Sequence, residues 1–177
     1  MTCALVLAGF AAAANEPAPS LPAAAAAAAP ALRFAGEGRL TWWGFAAYDA
    51  RLWIAPAATQ RTLTAHPLAL ELAYLRAFTG KDIARVSLEQ MRRVADIDPA
   101  TADRWTADLR AAISDVRPGD RLLGVHRPDR GASFYLNGKP AGEIADARFS
   151  RQFFSIWLGA STSEPGLRDA LLGSTPP

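Results

Sequence analysis

The sequence predicts an α+β domain, an antiparallel sheet with helices packed against one face. Strand-like alternation fills two blocks, residues 32–78 and 120–144, and helical periodicity lies between them and after the second. The closing helix says most. Phe149, Phe153, Ile156 and Trp157 recur on one face, and Phe154 and Leu158 widen that stripe until little is left for water. Such a helix needs a broad apolar partner, and the strands upstream supply one.

The chain opens on an apolar run, Cys3 to Ala14, of signal-peptide length and ending in small residues suited to cleavage. It is too short to span a bilayer as a helix. Residues 1–14 are therefore expected to be a removed signal peptide, with the mature protein periplasmic or secreted and without a stable membrane span. Cys3 is the single cysteine, so no disulfide would staple the exported form. Residues 15–31 place seven consecutive Ala between Pro22 and Pro30, after Pro17 and Pro19. That composition reads as a flexible linker, with a short helix as the alternative. The domain proper is expected over residues 32–175.

Leu32 to Ala35 and Arg39 to Trp43 read as strands separated by Gly36-Glu37-Gly38, and Phe45 to Ile54 continues in β-rich composition until Pro56. His66 to Phe78 alternates most cleanly, with Leu68, Leu70, Leu72, Tyr74, Arg76 and Phe78 on one face. Lys81 to Val94 turns helical, burying Ile83, Val86, Leu88 and Met91. Asp98-Pro99 is a cap and first-turn proline for a second helix, whose inward residues are Trp105, Leu109 and Ile113. Strands resume at Asp120–Arg127, Ala132–Leu136 and Pro140–Ile144, joined by Pro128-Asp129-Arg130-Gly131 and by the hairpin pair Asn137-Gly138. Asp146 caps the Phe-rich helix, and Pro165 opens a last short one.

Lys+Arg exceeds Asp+Glu by only two, and no basic run gathers on one face, which argues against nucleic acid as a partner. His66 and His126 lack metal-ligand spacing and read as a strand-end and a solvated strand histidine. Asp96-Ile97-Asp98 resembles part of a calcium loop but serves better as a cap. No phosphate loop or nucleophile elbow occurs, so neither metal nor cofactor is expected. Arg76 is the unusual residue. Strand parity puts it on the face of Leu72 and Tyr74, where a guanidinium is costly unless it is paired, reaches water or meets an anion. One reading places Arg76 at the strand end, near water or an acid. The other has Arg76 and Tyr74 lining an apolar cavity and receiving a carboxylate. Trp42, Trp43, Trp53, Trp105 and Trp157 fit either a core or an aromatic-lined pocket.

Several ordered segments resemble the bacterial chalcone-isomerase-like family: Gly44-Phe45-Ala46-Ala47-Tyr48-Asp49-Ala50-Arg51-Leu52-Trp53, Leu70 to Arg76, Gly119-Asp120-Arg121-Leu122, Phe134-Tyr135-Leu136-Asn137-Gly138 and Phe153 to Leu158. The resemblance implies an open-faced β-sandwich with a ligand cleft between the large sheet and the helices. The plant enzyme of this family cyclises chalcones with an Arg, a Thr before a Tyr, and a Tyr and Asn from the helical region. Here the register set by Tyr48 puts Trp43 where that Thr would lie. No Tyr or Asn occurs between Thr79 and Ser133, and either Arg33 or Arg39 stands in for the Arg. Flavanone chemistry therefore lacks its contacts. Other branches of the fold bind fatty acids through an Arg and a Tyr. The resemblance thus implies non-catalytic binding of a fatty acid or similar amphipathic or carboxylate ligand. The candidate contacts are Arg76, Tyr74, Tyr48, Trp43 and Arg39, and the Arg76–Tyr74 pair read from strand parity matches that grip in kind, though not by a shared motif. An isomerase with another residue set, or an envelope scaffold with a filled cleft, is the alternative.

Overall fold

The computed structural model describes residues 19–42 and 44–173; the expected leader over residues 1–14 and the candidate residue Trp43 lie outside them. Six strands form one antiparallel sheet in sequence order: β1 (Arg33–Trp42), β2 (Phe45–Ile54), β3 (Leu68–Tyr74), β4 (Arg121–Arg127), β5 (Gly131–Leu136) and β6 (Lys139–Ile144). Among the described residues five α-helices accompany it: α1 (Ala23–Ala28), α2 (Gly80–Val94), α3 (Pro99–Ala112), α4 (Ala147–Leu158) and α5 (Pro165–Leu171). This is the open-faced sandwich, with α2 to α5 on the inner face of the sheet.

Inward residues of every strand build the main core. Leu52, Leu68, Leu70, Leu72, Leu122 and Phe134 meet Trp105, Phe149, Phe153 and Phe154 from the helices, and all are buried. The aromatic groups interlock: Phe149 packs edge-on to Trp105 at 5.5 Å and Phe153 edge-on to Phe134 at 5.3 Å between ring centres. Gly124 in β4 makes room for one of these rings, since a Cβ there would stand 3.1 Å from Cζ of Phe154. α3 and α4 start behind the caps the sequence predicts, and α2 starts at Gly80, one residue before the expected Lys81, behind a Thr79 cap. Thr79 Oγ1 accepts from Asp82 N at 3.1 Å, Asp98 Oδ1 from Thr101 N at 2.9 Å and Asp146 Oδ1 from Phe149 N at 2.9 Å. Asn137 and Gly138 both take positive φ (51° and 78°), the hairpin conformation their pairing predicts.

Four expectations are corrected. The strand pieces on either side of Gly36-Glu37-Gly38 are one strand, whose register shifts at Phe34/Gly36 and Leu40/Thr41 absorb the glycines. The third strand stops at Tyr74. The backbone bends at Leu75 and Arg76, and Phe78 pairs separately with Val116. His126 is fully buried rather than solvated. Its Nε2 faces the Thr64 carbonyl at 2.9 Å and its Nδ1 the Ser150 hydroxyl at 2.6 Å. A carbonyl only accepts, so Nε2 carries the proton and Nδ1 accepts from Ser150. Finally, in the Ala/Pro-rich stretch the structure has the alternative short helix in place of a flexible linker over Ala23–Ala28, and this α1 is not isolated but lies on the outer face of the sheet. Ala25 is fully buried there against Trp53, Ala69, Leu123 and Val125, and the Pro19 carbonyl accepts from Trp53 Nε1 at 3.3 Å. Ala has no polar face to pattern, but its small side chain lets a helix lie close on a sheet.

Candidate functional site

The inner layer is not filled everywhere. α2 packs chiefly against α3 and α4, which hold it above the sheet as a roof. Beneath it lies a cavity of about 420 Å³, floored by Leu40, Leu72 and Leu122 and closed at the side by Phe153 and Ile156 of α4. Ile83 and Val86 of α2 form the ceiling. The volume is ordinary for a small-molecule site, and its walls are mainly apolar.

Tyr48 and Tyr74 bring polarity into it. They face each other directly in the β2–β3 register, with rings edge-to-face at 5.8 Å, and Phe78 extends the array 5.7 Å beyond Tyr74. Trp157 of α4 donates its indole N–H to Tyr48 Oη at 2.8 Å. Burial pushes both phenols well above the ordinary tyrosine range, and the Glu164 carboxylate adds to the rise at Tyr48. Both therefore stay protonated at any physiological pH. They can donate hydrogen bonds, but they have no proton-free form to act as bases near neutrality.

The other expected contacts lie elsewhere. Arg76 does not line the cavity. Because the strand ends at Tyr74, alternation no longer governs it, and its guanidinium sits in the open, 4.8 Å above the Phe45 ring. Arg39 alternates with the inward Leu40 and points away, gripping Asp49 through Nε at 2.6 Å and Nη2 at 3.0 Å. The arginine at the cavity is Arg85 of α2, at the rim, bound to Glu89 at 2.9 Å and to Asp82 at 3.4 Å. Helical periodicity places it on the solvent side. Only the raised position of α2 turns that edge toward the opening, so the sequence carries no signal for it. Trp157 was legible as core, but its hydrogen bond to Tyr48 spans 109 residues and has no local signature. Among the described residues no cluster of His, Cys, Asp or Glu has the makings of a metal site, and no helix is long and apolar enough to cross a membrane.

The family model described as chalcone isomerase-like matches residues 18–173, which includes α1. No curated protein matches the chain in sequence. Among solved structures it is similar to a fatty-acid binding protein of Arabidopsis thaliana, with a TM-score of 0.60 and 10% identity, covering 80% of this chain and 87% of that one. At that identity the likeness is one of fold: the same large sheet with helices over one face.

Proposed function

We propose that this chain, which belongs to the chalcone isomerase-like family, binds an amphipathic small molecule such as a fatty-acyl compound between its sheet and helices, without transforming it. The observation that carries the reading is the mainly apolar cavity of about 420 Å³ under α2, whose polar groups are Tyr48, Tyr74, the buried Ser87 and a polar rim. Two further points support it. The similar Arabidopsis thaliana protein is a fatty-acid binding protein, and it shares this sheet-and-helix arrangement. The phenols in the cavity are held protonated, which suits recognition better than proton abstraction.

Burial of an alkyl chain supplies the driving force, at about 0.8 kcal/mol per methylene removed from water. A cavity already formed between rigid layers adds little ordering cost on binding. We propose in addition that the protein acts after export, on the strength of the apolar run from Cys3 to Ala14. Mass spectrometry of extracts from the purified protein tests the binding role. An amphipath recovered near one per chain is the expected result, and a reproducibly empty protein that takes up no added lipid overturns it. Incubation with a chalcone tests the absence of catalysis, with turnover no faster than the spontaneous rate expected. The intact mass of the protein recovered from its host tests export, a product that retains Cys3 being the contrary result.

A further inference from the structure

We propose that the cavity selects amphipaths whose polar end is an uncharged carbonyl (a ketone, aldehyde or ester) over those ending in a carboxylate, an inference that rests on the binding role above. The donors come first. The indole of Trp157 can only donate, so Tyr48 Oη is the acceptor of that bond and its own hydrogen is left over. Among the described residues nothing accepts it. Tyr74 is 4% exposed, and among the described residues its hydroxyl has no hydrogen-bond partner at all. Two O–H donors on facing positions of neighbouring strands thus open onto one mainly apolar chamber, and a ligand that fills it without offering an acceptor would leave them unpaired, which is costly. The complement is a group that accepts and does not donate. A carbonyl oxygen, with two lone pairs, can take both hydrogens.

A carboxylate would satisfy the same donors, so charge decides between them. Arg85 is the one cationic side chain among the described residues that line the cavity, and it is already held by Asp82 and Glu89. Asp82 and Glu164 themselves form part of the rim. Arg39 is engaged by Asp49, and Arg76 lies over Phe45. An anion carried into this chamber would lose its hydration and meet more acid than base. Burial, with the Glu164 carboxylate adding to it, already disfavours a phenolate at Tyr48, and a carboxylate brought beside it meets the same desolvation and the same neighbouring charge. A neutral carbonyl escapes that penalty and keeps both hydrogen bonds.

Displacement of the neutral fluorophore N-phenyl-1-naphthylamine at pH 8 tests this with four competitors of similar length: 2-tridecanone, methyl dodecanoate, dodecanoate and tridecane. The ketone and ester should bind about tenfold more tightly than the alkane and more tightly than dodecanoate. Tyr74→Phe and Tyr48→Phe should each weaken the ketone about three- to tenfold while leaving tridecane unchanged, circular dichroism confirming that both variants are folded. Glu164→Gln should strengthen dodecanoate and not the ketone. Dodecanoate equal to or better than the ketone, or ketone and alkane binding alike, overturns the head-group preference while leaving the binding role intact. Failure of all four competitors and of the fluorophore to bind overturns both.

Discussion

On its inner face the sheet carries Leu52, Leu70, Leu72 and Phe134 beneath four helices, whereas its outer face carries Trp53, Ala69, Leu123 and Val125 beneath the six-residue α1. The inner cover is made of large aromatic side chains, Phe149, Phe153, Phe154 and Trp157, which prop the helices well above the strands. The outer cover is a run of alanines that comes down onto the sheet until Ala25 is fully buried. Beyond α1 the outer face is finished by ion pairs between adjacent strands, such as Glu37 with Arg51 and Arg39 with Asp49. Unfilled volume occurs on the aromatic side. Big side chains fix a layer spacing that not every position can fill, while a polyalanine layer adjusts its distance and leaves nothing over.

If that contrast is right, truncation should be most damaging inside. Phe149→Ala removes a fully buried ring stacked on Phe153 at 5.5 Å and should lower the unfolding free energy by about 3–5 kcal/mol in urea melts. On the outer face the sensitive change is enlargement. Ala25→Arg should lift α1 and cost about 2 kcal/mol, with ligand affinity unaltered because the sheet separates α1 from the cavity. A loss as large as that of Phe149→Ala, or a loss of ligand binding, would erase the distinction between the faces.

The third expectation concerns pH and belongs to the inner face alone. Burial, reinforced by the nearby positive Arg151, holds His126 below the ordinary histidine range, against the opposing pull of the Thr64 carbonyl. The folded protein therefore refuses a proton that the unfolded chain accepts below about pH 6.5. The contribution of His126 is complete above that pH and is lost as the pH falls toward its folded value, at no more than about 1.4 kcal/mol per pH unit. Melts between pH 8 and pH 5 should show the slope, and His126→Gln should flatten it. The smallest effect is expected at the outer ion pair of Arg121 and Glu71 (2.7 Å). Removing the half-exposed arginine by Arg121→Ala leaves a mostly buried carboxylate and should cost about 1 kcal/mol, diminishing with salt.

Much of this architecture was legible because it rests on local rules. The caps at Asp98 and Asp146, the Asn137-Gly138 hairpin and the Phe-rich stripe of α4 each act over a few residues, and the structure keeps them all. Alternation misled at two places where it is interrupted without a sequence marker. It carried through the bend after Tyr74 and so placed Arg76 inside, and it broke at Gly36-Glu37-Gly38 where the strand in fact continues. Composition gave no means of docking α1, because seven alanines are equally compatible with a tether and with a helix pressed on a sheet. A cavity lined by Tyr74 was legible, but its geometry was beyond local reading. Tyr48 and Tyr74 were named as contacts, yet their pairing, the Trp157 bond and the position of Arg85 depend on the height at which two other helices hold α2.

The helical pair that forms the roof leaves and rejoins the sheet at nearly the same point. Phe78, just before α2, and Val116, just after α3, exchange both backbone hydrogen bonds (3.0 and 2.9 Å), and Asp115 Oδ1 accepts from Gly80 N at 2.9 Å. The intervening excursion is therefore closed at its neck, like a loop whose ends are already tied. Its length can change at little entropic cost and without shifting the pairing of any strand, since loop-closure entropy rises only logarithmically with length. The roof of the cavity is thus tied to the sheet at one point and held elsewhere by packing, so the register of the strands and their paired tyrosines does not depend on the length of the excursion that covers them.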